Sequence, residues 1–122
     1  MRFSKSLKEN TQFRRLYARG RSAAGPCLVI YCRKNGTKEN RVGYTVSKKL
    51  GHAVVRNRVR RRLREIYRLH EPEFRPGWDL VVVARSRAAA APFSRMEQTF
   101  LTLAAQLGLL SEKRNDPETP AD

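Results

Sequence analysis

Hydrophobic positions recur along this chain with two periods, and each period predicts a different kind of element. Phe13, Leu16 and Tyr17 stand at i, i+3 and i+4, which puts them on one face of a short helix. Asn10 or Thr11 can cap its start, and Gly20 suits its C′ position. Leu16 reads as core. The two aromatics, one turn apart on a basic helix, are candidates for stacking on bases. Residues 22–33 alternate, with Leu28, Ile30 and Cys32 set for a core. Cys27, Val29, Tyr31 and Arg33 fall on the other face, which suits an open groove. A separate short strand is expected near Ser22–Ala24. Lys34-Asn35-Gly36-Thr37 carries an Asn-Gly hairpin signal, leading to a returning strand over Arg41–Val46. Val42, Tyr44 and Val46 share one side of that strand, with Arg41, Gly43 and Thr45 on the other.

Ser47–Ala53 reads as a loop. A second helix is expected over Val54–Leu69, with Val55, Val59, Leu63, Ile66 and His70 on its apolar stripe. Glu71–Gly77 ends that helix and turns the chain. Trp78–Arg85 follows as a strand whose apolar run Leu80-Val81-Val82-Val83 calls for cover on both faces. After a small-residue linker, Ala88–Ala91, a last helix spans Pro92–Leu107. It carries Phe93, Met96, Phe100, Leu103, Ala104 and Leu107 on one stripe, and Ser94 with Glu97 as a capping box. The fold class expected is α+β: a two-layer sandwich with a four-stranded, mostly antiparallel sheet under helices. Residues 1–9 read as a loose arm, residues 1–110 as one domain, and residues 111–122 as a disordered polar tail with net charge about −2 by count.

Charge changes the picture most. The 122 residues hold 26 Lys and Arg against 11 Asp and Glu, a net charge of +15. Of those cations 19 are arginine by count, the side chain that binds phosphate with a planar fork. On the second helix Arg56, Arg60, Arg64 and Arg68 form an i, i+4 row, flanked by Asn57 and Arg61. Like charges at that spacing destabilise a bare helix by roughly 0.2–0.5 kcal/mol per pair. Only Glu65 offers local relief, to Arg61 and Arg62. The row rises about 18 Å at 1.5 Å per residue, enough to follow several phosphates. A polyanionic partner is therefore expected, nucleic acid before membrane.

Catalytic chemistry is missing from the pattern. His52 and His70 have no partners at triad or metal-ligand spacing, so each reads as structural or RNA-adjacent. Cys27 and Cys32 are five apart and should not pair. Gly43, Gly51 and Gly77 are isolated, which excludes a phosphate loop. The start, Met1-Arg2-Phe3-Ser4-Lys5, has no apolar signal region, and no run is long enough for a membrane span. A cytoplasmic protein without an active site of its own is expected.

Several ordered motifs resemble one family. Ser47-Lys48-Lys49-Leu50-Gly51, then Ala53-Val54, Arg56-Asn57-Arg58, Arg61 and Arg64-Glu65, look like the signature of the protein subunit of bacterial ribonuclease P. Phe13, Leu16-Tyr17, Gly20, Leu28-Val29-Ile30-Tyr31 and Arg41-Val42-Gly43 match in order, as does Asp79-Leu80-Val81-Val82-Val83-Ala84-Arg85. The resemblance covers about Leu7 to Leu107. It implies an αβββαβα order, shared with a domain of one small-subunit ribosomal protein, and a left-handed strand–helix–strand crossover. It also implies a function: assisting a catalytic RNA that removes the 5′ leader of precursor tRNA. The RNA would hold the Mg²⁺ ions, and the protein alone would bind no cofactor. Phe13, Tyr17, Tyr31, Arg33 and Lys48 would line a cleft for the single-stranded leader. Lys49, Arg56, Asn57, Arg58, Arg60, Arg61, Arg64 and Arg68 would contact the RNA subunit or substrate phosphates. The partners implied are that RNA and the precursor tRNA leader, with no membrane and no obligate protein partner. The family often has Phe where Tyr17 stands here.

Two other readings compete. A ribosomal or RNA-assembly structural protein would account for size and charge but not for paired aromatics facing a groove. A DNA-binding factor would need base-reading side chains on a helix with a dimer or second helix beside it, and neither is evident.

Overall fold

The apolar run Leu80–Val83 decides the sheet. Side chains alternate across a strand, so Leu80 and Val82 point to one face and Val81 to the other, and all three are buried. Such a strand belongs in the middle. The computed structural model, which describes residues 4–6 and 10–111 with side chains from Phe13 to Ser111, places it there. The elements are β1 (Ser4–Ser6), α1 (Asn10–Arg19), β2 (Arg21–Ala24), β3 (Leu28–Lys34), β4 (Asn40–Val46), α2 (Ala53–His70), β5 (Trp78–Ala84) and α3 (Phe93–Gln106). From α1 onward the order is αβββαβα, and the class is α+β, both as expected. The sheet runs β1-β4-β5-β3-β2.

Three expectations need correction here. The first concerns residues 4–6, assigned to a loose arm, which form a short edge strand parallel to β4 and make the sheet five-stranded. The second concerns pairing. β5 lies parallel to β4 and antiparallel to β3, so the sheet is mixed rather than mostly antiparallel. β3 and β4 therefore never meet, and the turn at Asn35-Gly36 is not a hairpin. It has to span the width of the inserted strand, about 9–10 Å. Asn35 organises this wider turn: its side chain donates to Glu39 O and to Asp79 Oδ1 and accepts from Thr37 N. The true hairpin comes one turn earlier, between β2 and β3, where Gly25 N donates to Leu28 O. The third concerns Cys27, assigned to the groove face. It precedes β3 and is buried in the main core with Leu28. Both cysteines are free, and burial pushes the Cys32 thiol up.

The two sheet faces are covered unequally. One carries the main core, where Leu28, Ile30, Cys32, Val42, Leu80 and Val82 pack against Val59, Leu63, Ile66 and Tyr67 of α2 and Met96, Phe100 and Leu103 of α3. The other face has a small satellite: Leu16 of α1 on Val81, with Phe13, Tyr31 and Val83 around them. Burying Leu16 contributes about 1.5–3 kcal/mol, which fastens α1 to that face. Gly20 lets α1 come close, since a Cβ there would stand 2.5 Å from Leu16 O and 2.8 Å from Cys32 O.

Two polar clamps hold the main layer. Asn40, buried at the start of β4, donates from Nδ2 to Tyr67 Oη and Arg75 O and accepts from Trp78 N. One amide thus ties α2, the following turn and β5. His70, at the end of α2, bonds Glu73 at 3.1 Å and Glu97 of α3 at 2.8 Å. Glu97 is committed there, and Pro92 rather than Ser94 stands at the N-cap, so the expected capping box does not form. Burial opposes the charged imidazole, but the bonds to Glu97 and Glu73 outweigh it and hold the His70 pKa above its ordinary value.

Asn40→Ala leaves the Trp78 N–H and Arg75 carbonyl without that partner, and should cost about 2–4 kcal/mol in urea unfolding with an unchanged m-value. A loss under about 0.5 kcal/mol would show that the amide is not a tie. For His70 a raised folded pKa means that its stabilisation is complete below the unfolded value of about 6.5 and fades as pH rises through the folded one. The melting temperature should therefore fall with rising pH in that window, and His70→Gln should flatten the fall. An unchanged slope in that variant would place the dependence elsewhere.

Candidate nucleic-acid interface

Alternation on β3, β4 and β5 assigns every groove-side residue to a row. In register across the sheet lie Arg33, Asp79 and Arg41, then Tyr31, Val81 and Gly43, then Val29, Val83 and Thr45. α1 covers part of this face. Its Tyr17 ring meets Tyr31 edge-on, with centroids 4.9 Å apart and planes at 80°. Tyr17 is 43% exposed, so much of the residue stays accessible beside this contact. Its hydroxyl reaches across to Thr45 Oγ1 at 3.1 Å. Phe13, half-buried, packs on the Leu16–Val81 satellite. The expected aromatic set thus comes together: Phe13, Tyr17 and Tyr31 share one site. Arg33 lies two residues along on the same face and is half-buried.

Asp79 tempers the charge at that end. It takes both Arg41 Nε and Nη2 at 2.7 Å, a bidentate pair that fixes Arg41 on the sheet face. Gly43 adds no side chain, so the strip beside Val81 stays low. Reading the residues alone missed Asp79, Arg41 and Thr45 as parts of this site. Period-two alternation had put Arg41 and Thr45 on the correct face, but partners across β5 were invisible without the strand order.

Lys48 and Lys49 stand beyond β4 in a 3-10 turn, both exposed. Ser47 accepts from Lys49 N, and Leu50 is buried as the anchor of the turn. The chain then rounds the sheet and enters α2 on the opposite face. The aromatic groove and the arginine helix therefore lie on opposite sides of the sheet, joined by the Lys48–Lys49 turn. They form two surfaces rather than one.

The arginines of α2 divide by what they touch. Arg58 donates to Ala89 O at 3.3 Å and Arg62 to Ala91 O at 3.2 Å, so both lash α2 to the segment before α3. Arg58 Nε is buried without a partner, a sign that its stem serves packing. Arg56 donates to Gly51 O, which braces the first turn. Arg60 reaches Asn57 Oδ1 only at 3.4 Å. Contrary to the expectation from the sequence, Glu65 pairs with neither Arg61 nor Arg62; its partner is Arg68, at 2.6 Å. The hydrogen bonds to Arg68 hold the Glu65 carboxyl below its ordinary value. Arg61 and Arg64 are exposed and make no hydrogen bond or ion pair among the described residues. Arg64 of the row and Arg61 beside it are thus open cations. Beneath them Tyr44 has a buried hydroxyl with no partner, and burial first, then Tyr67, pushes its pKa up.

Within the described residues no three His, Cys, Asp or Glu side chains are grouped to hold a metal ion, and no helix is long and apolar enough to cross a membrane.

Comparison with known proteins agrees with this geometry. The family model described as Ribonuclease P matches residues 1–108. The "Ribonuclease P protein component" of Natranaerobius thermophilus is 41% identical over 107 residues, 88% of this chain and 93% of that protein. The protein of the same name from Alkaliphilus metalliredigens is 40% identical over 91% of this chain and its own whole length. Among solved structures, the RNase P protein of Staphylococcus aureus superposes with a TM-score of 0.81 at 30% identity, over 87% of this chain and 97% of that one. The Thermotoga maritima RNase P protein gives 0.74 at 28% identity, over 80% and 93%.

Replacing Arg61 and Arg64 together by Ala should flatten the dependence of log affinity on log salt by about 0.7–0.9 per lost phosphate contact, with the urea midpoint unchanged. Arg58→Ala should instead lower the urea midpoint. An Arg61/Arg64 variant with the wild-type salt slope would mean that these two cations face only solvent.

Proposed function

Because this chain belongs to the bacterial ribonuclease P protein family, and so is the non-catalytic protein subunit of that ribonucleoprotein endoribonuclease, we propose that it works through two surfaces divided between two RNAs. Association with the ribonuclease P RNA follows from membership. The finer assignment is ours: the α2 surface, with Arg61, Arg64 and the neighbouring Lys49, meets the RNA subunit, and the α1–sheet groove holds the 5′ leader of precursor tRNA as a single strand.

The Tyr17–Tyr31 corner carries this reading. Two rings at 80° offer a base a flat face and an edge, and stacking on aromatics is tolerant of sequence because every base has a π-face. That tolerance suits substrates with unrelated leaders. Arg33 and Lys48 stand toward opposite ends of the groove face, where they can meet leader phosphates. Phosphodiester hydrolysis, with its Mg²⁺ ions, belongs to the RNA subunit in this proposal. The protein binds, orients and neutralises. Holding the leader adds contacts that mature tRNA lacks, so product is released more readily than substrate is. Offsetting phosphate repulsion near the cleavage site lowers the Mg²⁺ concentration that the RNA needs.

With the cognate RNA at low Mg²⁺, adding this protein should stimulate precursor cleavage, and Tyr31→Ala should lose about 1–3 kcal/mol of preference for precursor over mature tRNA. Phe13→Ala should act in the same direction. No stimulation would favour a purely structural role, and equal loss for precursor and mature tRNA would place these rings in packing alone.

A further inference from the structure

Tyr17 is held at two points that do different things. Its ring meets that of Tyr31 in a T-shaped contact, and its hydroxyl is tied to Thr45 on the far side of β5. Thr45 supplies the hydroxyl on the groove face of β4: of its neighbours there, Arg41 is committed to Asp79 and Gly43 has no side chain. We propose that Thr45 is a positioning residue for the groove, whose hydroxyl fixes the Tyr17 ring edge-on to Tyr31 and so presets the corner into which a leader base stacks. This rests on the leader-binding reading above.

The physical reason is preorganisation. A half-exposed tyrosine anchored at its backbone alone can swing about two side-chain torsions and must be immobilised when a base arrives. Tying both ends removes that cost before binding, and one immobilised side chain is worth about two- to ten-fold in affinity. An exposed hydroxyl pair adds little to fold stability, so Thr45 can be altered without unfolding the sheet. Thr45→Val keeps the shape and the β-branch that suit a strand. A ring lacking the hydroxyl cannot be tied this way, so Thr45 gains its role from the tyrosine at position 17.

The test uses the holoenzyme with its cognate RNA, precursor tRNA with a leader of several nucleotides, and a matched substrate with a one-nucleotide leader. Thr45→Val should raise KM for the long-leader substrate about two- to ten-fold, leave kcat within two-fold, and leave the short-leader substrate unchanged. Thr45→Ser should restore wild-type behaviour. On a Tyr17→Phe background, Thr45→Val should add nothing, because the bond is already gone. Additive effects of the two changes, or an equal KM rise for both substrates, would overturn the inference. If the wild type discriminates between the leaders and Thr45→Val does not alter it, the positioning role alone falls. If the wild type does not discriminate at all, the leader-binding reading falls and takes this inference with it.

Discussion

Four consecutive apolar residues, Leu80 to Val83, must be covered on both sides of the sheet, and most of the structure follows from how that is done. On one side the cover is thick: α2 and α3 close over Leu80 and Val82 and build the main core. On the other it is thin: α1 rests on Val81 through Leu16, and Val29, Tyr31, Arg33 and Thr45 on that face are only half-buried. A strand buried on both faces also takes the centre of the sheet. It therefore separates β3 from β4, spaces Tyr31 from Thr45, and leaves room for Tyr17 to bridge them.

The uneven cover gives the protein two surfaces of different character. α2 presents its apolar stripe to the core and its cations outward, and like charges at helical spacing work against it until a polyanion arrives. Several of these arginines are nevertheless occupied at home. Arg58 and Arg62 secure the approach to α3, Arg56 the start of the helix, and Arg68 pairs with Glu65. Among the described residues Arg61 and Arg64 make no such bond, and Arg60 makes only the 3.4 Å contact to Asn57. The groove differs in chemistry: its corner is aromatic, and the Asp79–Arg41 pair keeps one end from being simply cationic.

How much of this could be read from residues alone varies with the range of the interaction. Helices and strands were legible because periodicity is local, and α1, α2, β5 and α3 fall within a few residues of their expected spans. The aromatic site was legible because two helical neighbours and one strand position pointed to a single face. The hairpin was not. Asn35-Gly36 is a strong local signal, yet a long-range demand, the central place of β5, overrode it. The clue was present in the unbroken run at Leu80–Val83. Roles of single arginines were equally hidden, since Arg58 and Arg61 differ in sequence by nothing that predicts a carbonyl at Ala89. Asn40, His70 with Glu97, and Thr45 act only through partners 27 to 38 residues away, or across an interposed strand. The polar tail after Ser111 lies outside the described residues.

The central claim is that one sheet keeps two RNAs apart, one on each side. The most direct measurement is site-specific photo-crosslinking in the assembled holoenzyme with precursor tRNA bound, the photoreactive side chain standing at position 31 in one preparation and at position 61 in another. The account predicts that position 31 crosslinks to the 5′ leader and position 61 to the ribonuclease P RNA. Crosslinks from both positions to the same RNA strand would contradict it.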